Sequence, residues 1–200
     1  MIAVVDYGAG NLFSVCNALS FLEIKHVITS SAEEILAADG VILPGVGAFP
    51  EAMSRLEAAG LVEPLRKSAG EKPFLGICLG MQMLFDYGYE FAKTPGLGLI
   101  PGEVRPIMAP GLKIPHMGWN SIYIHQSTPL TAGLHEGDYV YYVHSYAAVV
   151  SPEVLVLSSD YGGPVTGLVA KGQVYGAQFH PEKSGAAGLT ILKNFGGLVK

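Results

Sequence analysis

The chain has 200 residues, of which half are hydrophobic and 14% are charged, and its formal net charge is -5. The apolar fraction supplies a sizeable core, while the absence of a basic cluster argues against a nucleic-acid partner. No basic region precedes the short apolar run at the N-terminus, and no stretch reaches the roughly 18 apolar residues of a membrane-spanning helix. These features predict a soluble, cytoplasmic protein.

Strand patterns and helix patterns alternate through the first half of the chain. Strands are predicted at IAVVD, HVITS and GVILP, and helices at about residues 11–22, 32–38, 49–59 and 61–68. The segment PFLGICLGMQMLF then predicts an apolar strand that continues through glycines into an amphipathic helix. Alternation of this kind predicts a parallel sheet covered by helices.

The pattern changes between residues 97 and 178, where strand segments are separated by Gly and Pro. These segments are EVRPIM, NSIYI, DYVYYVHSYAAVV, EVLVLSS and QVYGAQF, and they predict antiparallel additions to the sheet. A last helix is predicted at about residues 186–198. The sequence thus predicts a single domain over residues 1–200, an α/β three-layer sandwich with a central, mostly parallel sheet extended by antiparallel strands.

The segment FLGICLG has the form of a nucleophile elbow in which cysteine replaces serine. Cys78 stands two residues from Gly76 and two from Gly80, where the strand pattern gives way to the helix pattern. The tight turn would expose the thiol at the top of the sheet, and the helix N-terminus would favour its thiolate form. The alternative is a small, buried, structural cysteine whose glycines serve helix–strand packing.

A candidate base follows the strand pattern of YGAQFHPE. His180 comes directly after the strand, Pro181 fixes the turn, and Glu182 lies two residues further on. Residues i and i+2 of an extended segment point the same way, so the carboxylate can orient the imidazole toward Cys78. A single histidine here would be an ordinary structural residue, but together with GICLG it fits a Cys-His-Glu triad.

The glycine-rich loop LPGVGAF follows the third predicted strand. In elbow enzymes one oxyanion donor is the amide after the nucleophile, here that of Leu79, and a second comes from another strand-to-helix loop. The amide of Val46 or Gly47 is the candidate for that second donor. On its own the loop would be an ordinary glycine-rich turn.

No cofactor is predicted. The segment GAGNLF matches a dinucleotide-binding loop poorly, because Phe13 occupies the place of the third glycine and the acidic residue expected about 20 positions later is missing. The histidines show no metal-ligand spacing, so no metal is predicted either. The two cysteines, Cys16 and Cys78, form neither a CxxC pair nor a disulfide framework, which favours a reducing compartment.

With GICLGMQ, PGVG and HPE in this order, the chain resembles the class I (triad) glutamine amidotransferases over essentially its full length, which implies a flavodoxin-like α/β fold. The resemblance implies that Cys78 attacks the glutamine side-chain amide, that His180 protonates the ammonia and activates water, and that Glu182 orients His180. A γ-glutamyl thioester would be the intermediate. Glutamine binding is implied for Gly45, Val46, Gly47, Leu79, Gln82, Ser145 and Tyr146.

The stretches DYGAGN, PGVG, PHMGWN and HPEKS resemble one subgroup, the glutaminase subunits of imidazole glycerol phosphate synthases, which act in histidine biosynthesis. This implies a heterodimer with a (β/α)₈-barrel cyclase that receives the ammonia through a sealed interface. The interface residues implied are Asn11, Trp119, Asn120, Tyr141 and Lys183. For Trp119 and Tyr141, a place in the core of a β-rich segment is the alternative.

Val46 stands where a glycine is common, and a non-glycine residue makes a flip of its peptide costlier. We therefore hypothesise that the isolated chain is nearly inactive and that partner and ligand binding set the PGVG loop. Three other functions remain open at this point. They are a stand-alone cysteine peptidase or γ-glutamyl hydrolase, a catalytically silent binding subunit, and an amidotransferase that serves an anthranilate, guanylate or pyridoxal phosphate synthase.

Overall fold

An eight-stranded sheet forms the centre of the computed structural model, which describes residues 1–199. The first five strands in spatial order are parallel to one another, and the last three are antiparallel additions at one side. From edge to edge the strands are β2 (His26–Thr29), β1 (Ile2–Val5), β3 (Gly40–Gly45), β4 (Phe74–Cys78), β14 (Val174–Ala177), β13 (Pro164–Lys171), β12 (Leu155–Asp160) and β9 (Tyr123–Ile124).

Two smaller sheets lie beside the central one. A two-stranded antiparallel sheet pairs β8 (His116–Ser121) with β10 (Tyr139–His144). A four-stranded sheet contains, in spatial order, β11 (Tyr146–Val149), β7 (Glu103–Pro106), β5 (Tyr87–Gly88) and β6 (Thr94–Pro95).

Helices cover both faces of the central sheet. They are α1 (Leu12–Phe21), α2 (Ala32–Ala37), α3 (Phe49–Ala58), α4 (Val62–Glu71), α5 (Leu79–Gln82) and α6 (Gly185–Leu198), with short 3-10 turns at Pro129–Thr131 and Pro181–Lys183. No helix within residues 1–199 is long and apolar enough to cross a bilayer.

Strand β1 shows how the three layers arise, because its side chains alternate between two hydrophobic cores. Ala3 and Val5 pack in the core that contains Ile35 of α2, while Ile2 and Val4 pack in the core that contains Phe195 of α6. All four residues of β1 are buried, as expected for a parallel strand covered on both faces. The predicted fold class is confirmed.

Three details differ from the sequence-based expectations. Residues 164–171 form the longest strand, which the prediction omitted, and QVYGAQF forms β14, which is parallel to β4 rather than antiparallel. The segments EVRPIM and DYVYYVHSYAAVV build the smaller sheets instead of extending the central one. The helix after Cys78 is not amphipathic, because α5 has four residues and every one is buried.

Candidate active site

Cys78 occupies a strained turn at the carboxyl end of β4. Its backbone angles are φ 56° and ψ -112°, a left-handed conformation that costs a non-glycine residue about 1–3 kcal/mol. This is the geometry of a nucleophile elbow, in which the chain reverses sharply from strand to helix and presents the side chain at the sheet end. The predicted elbow at GICLG is present.

The glycines around Cys78 are required by close backbone approach. A Cβ atom on Gly80 would lie 1.8 Å from the carbonyl oxygen of Leu43, and one on Gly76 would lie 2.6 Å from the carbonyl oxygen of Gly80. These distances are far below contact, so α5 can sit against β3 and β4 only without those side chains. The packing fixes Cys78 relative to the neighbouring strand.

His180 reaches Cys78 because β14 and β4 are adjacent and parallel. Ala177 pairs with Ile77, so the chain leaves β14 beside the elbow, and His180 follows three residues later. Its Nδ1 lies 2.8 Å from Oε1 of Glu182, and the side chains of His180 and Glu182 are 3% and 0% exposed. The carboxylate accepts, so Nδ1 carries the proton and Nε2 is left for the thiol.

The electrostatics around His180 favour its protonated form. Burial lowers the pKa of His180, but the Cys78 and Glu182 side chains more than offset this effect and raise the pKa to about 9. Within the described residues, Nε2 of His180 has no hydrogen-bond acceptor, so its proton is available to a reacting group. The pair is therefore suited to nucleophilic catalysis by a thiolate beside an imidazolium.

A backbone clamp holds His180 in place. Ser184 donates its hydroxyl to the carbonyl oxygen of His180 at 2.6 Å and accepts from the amide of Tyr141 at 2.9 Å. The amide of His180 donates to the carbonyl oxygen of Tyr141 at 2.9 Å. Two of these hydrogen bonds tie the turn after β14 to strand β10, and the third braces the turn itself.

A cavity of about 370 Å³ opens in front of Cys78 and His180. This volume is in the range of small-molecule sites, which occupy about 300–1,000 Å³. The remaining lining residues are Val46, Gly47, Leu79, Gln82, Glu90, Pro115, Val143, His144, Ser145 and Tyr146.

Comparisons with known proteins agree with this geometry. The family described as Glutamine amidotransferase class-I matches residues 3–197. The chain belongs to this family. The Imidazole glycerol phosphate synthase subunit HisH of Bacillus cereus (strain G9842) is 55% identical over 201 residues, which cover 100% of this chain and 96% of that protein.

Two solved structures share the fold of this amidotransferase. The crystal structure of a glutamine amidotransferase has a TM-score of 0.76 at 18% identity and covers 98% of this chain and 100% of that chain. The structure of PurLQS from Thermotoga maritima has a TM-score of 0.74 at 21% identity, with coverage of 100% and 98%. At these identities the likeness concerns the fold alone.

The amidotransferase cavity brings together most residues predicted to bind glutamine. Val46, Gly47, Leu79, Gln82, Ser145 and Tyr146 all line it beside Cys78. Gly45 is not among the lining residues and is closely packed. A Cβ there would lie 2.7 Å from the hydroxyl of Tyr7 and 2.8 Å from the amide nitrogen of Gly80. The close packing explains why glycine is required at this position, and the role of Gly45 in glutamine binding stays a prediction.

The residues predicted at the partner interface have different surroundings. Trp119 is 55% exposed, and its ring meets that of Tyr141 edge-on with centroids 6.0 Å apart, so the alternative of a core position is wrong for Trp119. Lys183 is exposed in the turn between His180 and α6. Asn11 caps α1 by accepting from the amide of Ser14 at 3.4 Å.

The half-buried side chain of Asn120 makes hydrogen bonds within the protein. Its side-chain amide donates to the carbonyl oxygen of Asp160 at 2.8 Å and lies 3.2 Å from Nε2 of His116. Asp160 is at the end of strand β12, so this bond ties the two-stranded sheet to the central sheet.

Sequence reasoning missed several residues of the cavity region, among them Glu90 and Tyr7. Glu90 lines the cavity and accepts from the amide of Phe49 at 2.7 Å, which anchors the segment after the PGVG loop. Tyr7, within the DYGAGN stretch, is buried and donates its hydroxyl to the carbonyl oxygen of Pro44 at 3.1 Å. Glu90 had no local signal, whereas Tyr7 was included in a quoted motif without a role of its own.

The histidines provide no metal site within residues 1–199, where no group of three or more His, Cys, Asp or Glu side chains is arranged to hold an ion.

A side chain of helix α3 stabilises the loop GAGN. Nη1 of Arg55 donates a hydrogen bond to the carbonyl oxygen of Gly8 at 2.7 Å.

Proposed function

We propose that this amidotransferase is the glutaminase subunit of an imidazole glycerol phosphate synthase and that it hydrolyses glutamine at Cys78. The observation that carries the reaction is the elbow thiol beside a buried His180–Glu182 pair, at the wall of a cavity of about 370 Å³. The observation that carries the biological assignment is the 55% full-length identity to a protein of that name. The whole chain acts as one domain.

The reaction uses Cys78 as the nucleophile and His180 as acid and then base. The sulfur bonds to the carboxamide carbon of glutamine, and the electron pair of the carbonyl moves onto its oxygen. When the carbon–nitrogen bond breaks, Nε2 of His180 gives its proton to the departing nitrogen, so ammonia leaves and a γ-glutamyl thioester remains. Glu182 keeps the Nδ1 proton in place and stabilises the imidazolium.

Hydrolysis of the thioester regenerates the enzyme. Nε2 of His180 takes a proton from water, the oxygen bonds to the thioester carbon, and the carbon–sulfur bond breaks. Glutamate leaves, and the thiolate–imidazolium pair forms again. In both steps the negative charge that develops on the carbonyl oxygen requires donors, for which we propose the amide of Leu79 and that of Val46 or Gly47.

Glutamine recognition follows from the charge and hydrogen-bonding capacity of the cavity wall. Both side-chain N–H groups of Gln82 are occupied, one by the carbonyl oxygen of Tyr146 and one by Gln178, so Gln82 meets the substrate as an acceptor. The carboxylate of Glu90 offers an anionic partner for the α-ammonium group. Ser145 and Tyr146, at the junction of β10 and β11, line the cavity beside Gln82.

We propose a (β/α)₈-barrel cyclase as the partner and the face around Trp119 as its docking site. Trp119, Tyr141 and Lys183 lie close to the catalytic turn: Tyr141 is bonded to His180, and the indole of Trp119 lies 3.8 Å from a Cβ built on Gly185. A sealed interface there would deliver ammonia before water protonates it.

The two cysteines, Cys16 and Cys78, are free thiols, which favours a cytoplasmic location.

The test is release of glutamate from glutamine, measured for the chain alone and then with a barrel cyclase and its nucleotide ligand. Stimulation by the partner that disappears in Cys78→Ala would support the proposal. Full activity without a partner would favour a stand-alone cysteine hydrolase. Activity that appears only with an anthranilate, guanylate or pyridoxal phosphate synthase would assign the chain to that synthase instead.

A further inference from the structure

Gln178 is a fully buried side chain that lies against the nucleophile, although it is absent from the cavity wall. It follows β14 directly, and its exposed fraction is 0%. Its Oε1 lies 3.0 Å from Nε2 of Gln82, and its Nε2 lies 3.9 Å from Sγ of Cys78. Burying an amide is costly unless both of its ends are satisfied, so these contacts explain its presence there.

The orientation of both carboxamides is fixed by one acceptor. The carbonyl oxygen of Tyr146 lies 3.0 Å from Gln82 and can only accept, so the nitrogen of Gln82 must face it. That same nitrogen faces Gln178, which must therefore present its oxygen. The remaining end of Gln178, its N–H, points at Cys78.

The carbonyl oxygen of Tyr146 is itself held by a second donor. Nδ1 of His144 lies 2.8 Å from it, and Nε2 of His144 lies 3.0 Å from Nδ1 of His116. Burial lowers the pKa of both His116 and His144 to about 4, so both rings are neutral at pH 7 and each Nδ1 is a donor. The acceptor that orients the two glutamines therefore cannot turn away.

We propose that Gln178 is a positioning residue that donates its N–H to the sulfur of Cys78 and stabilises the thiolate. The inference rests on the proposed function only in requiring Cys78 to be the nucleophile. Sulfur in the thiolate form accepts hydrogen bonds better than the neutral thiol, and a bond to a charged acceptor is stronger than one to a neutral acceptor. Gln178 thus complements His180, which faces the same sulfur.

Two substitutions separate the two contacts of Gln178. Gln178→Glu keeps an acceptor for Gln82 but removes the donor to sulfur, whereas Gln178→Met removes both. The matched control is Gln173→Met, because Gln173 is exposed near the start of β14, at the opposite end of the sheet.

The measurement is the rate at which iodoacetamide alkylates Cys78, followed by mass spectrometry of its peptide between pH 5 and 9. We expect the rate at neutral pH to fall about tenfold or more in both Gln178 variants and the pH midpoint to rise, while Gln173→Met is unchanged. In the complex, Gln178→Glu should lower kcat and keep KM, and Gln178→Met should also raise KM.

A wild-type alkylation profile in both correctly folded Gln178 variants would overturn the proposal. A measurement on the native side chain covers the case in which neither variant folds. The side-chain amide nitrogen resonance of Gln178 should shift with pH in parallel with Cys78 alkylation, and this shift should vanish in Cys78→Ala. A resonance that does not respond to pH would also overturn it. Alkylation needs neither glutamine nor a partner, so failure here is distinct from failure of the synthase assignment.

Discussion

Nδ1 of His180 and Oε1 of Glu182 lie 2.8 Å apart in a place that water does not reach. The hydrogen bond fixes the tautomer of the imidazole as well as its orientation, because an ionised carboxylate can only accept. A change that preserves the shape of Glu182 but adds a donor should therefore disturb catalysis without disturbing the fold.

Glu182→Gln should lower kcat for glutamine hydrolysis in the cyclase complex by about a thousandfold or more, with a smaller change in KM, because the amide can favour the wrong tautomer. Steady-state glutamate release measures the effect, and Glu153→Gln on the surface is the matched control. A loss of less than tenfold would mean that Glu182 does not orient His180.

Val46→Gly should raise the activity of the isolated chain. Without a side chain at position 46 its peptide reorients more easily, so the second oxyanion donor is available without the partner. We expect at least a several-fold increase in partner-free glutamate release and a smaller stimulation by the cyclase. The same substitution in Cys78→Ala controls for other sources of glutamate, and an unchanged basal rate would argue against the hypothesis.

Gly80→Ala should destabilise the protein by about 3 kcal/mol or more, or prevent folding, because its Cβ would lie 1.8 Å from the carbonyl oxygen of Leu43. Gly70→Ala is the opposite case. Gly70 is inside α4 with no atom within 4 Å of a Cβ, so alanine there should stabilise the helix by up to about 1 kcal/mol. Urea unfolding of both variants tests the pair, and equal stabilities would contradict it.

Acid should weaken the fold through His116 and His144. Their pKa is lowered by burial to about 4, below the unfolded value near 6.5. The unfolded state therefore binds more protons between these values, so the stabilising contribution is complete above pH 6.5 and is lost as the pH falls toward 4. The free energy of unfolding should decline over this window.

His116→Asn should reduce the slope of the unfolding free energy against pH by the equivalent of about one bound proton. The asparagine amide can donate to His144 as His116 does, but it does not titrate. Urea unfolding at several pH values between 4 and 7 gives the slope. His135→Asn, at an exposed position, should leave it unchanged. If the two variants have the same slope, the buried histidines do not control acid stability.

If Trp119 is at the centre of the proposed docking face, Trp119→Ala should weaken binding to the barrel cyclase by about thirtyfold, because large aromatic side chains at such positions contribute about 2 kcal/mol or more. Calorimetric titration of the two subunits measures the Kd. Tyr123→Ala removes an exposed aromatic from the edge strand β9 and should have little effect. Equal affinities for both variants would place the docking face elsewhere.

The sequence was informative wherever function depends on neighbouring residues. The elbow at Cys78 and the His180–Glu182 pair are local patterns, and the alternation of strands and helices predicted the parallel half of the sheet. Strand β13 was missed because Pro164 and Gly167 interrupt its pattern. The structure explains that glycine: a Cβ on Gly167 would lie 2.7 Å from the hydroxyl of Tyr142.

Residues joined only by the tertiary fold could not be predicted. Gln178 is 100 positions from Cys78, and Glu90 is 41 positions from Phe49, so neither contact leaves a periodic signal. The short length of α5 could not be predicted for a related reason. Its buried residues pack against β3, β4 and β14, and this packing decides where the helix ends.

Three adjacent parallel strands, β3, β4 and β14, end in the PGVG loop, the elbow and the His180 turn respectively. Trp119 and Tyr141, by contrast, belong to the separate sheet of β8 and β10. The catalytic residues and the proposed docking residues thus lie on different sheets, which are joined by hydrogen bonds of Tyr141 to His180 and Ser184 and of Asn120 to Asp160. If docking occurs on β8 and β10 as proposed, those two strands can diverge between synthases while the strands that hold the triad stay unchanged.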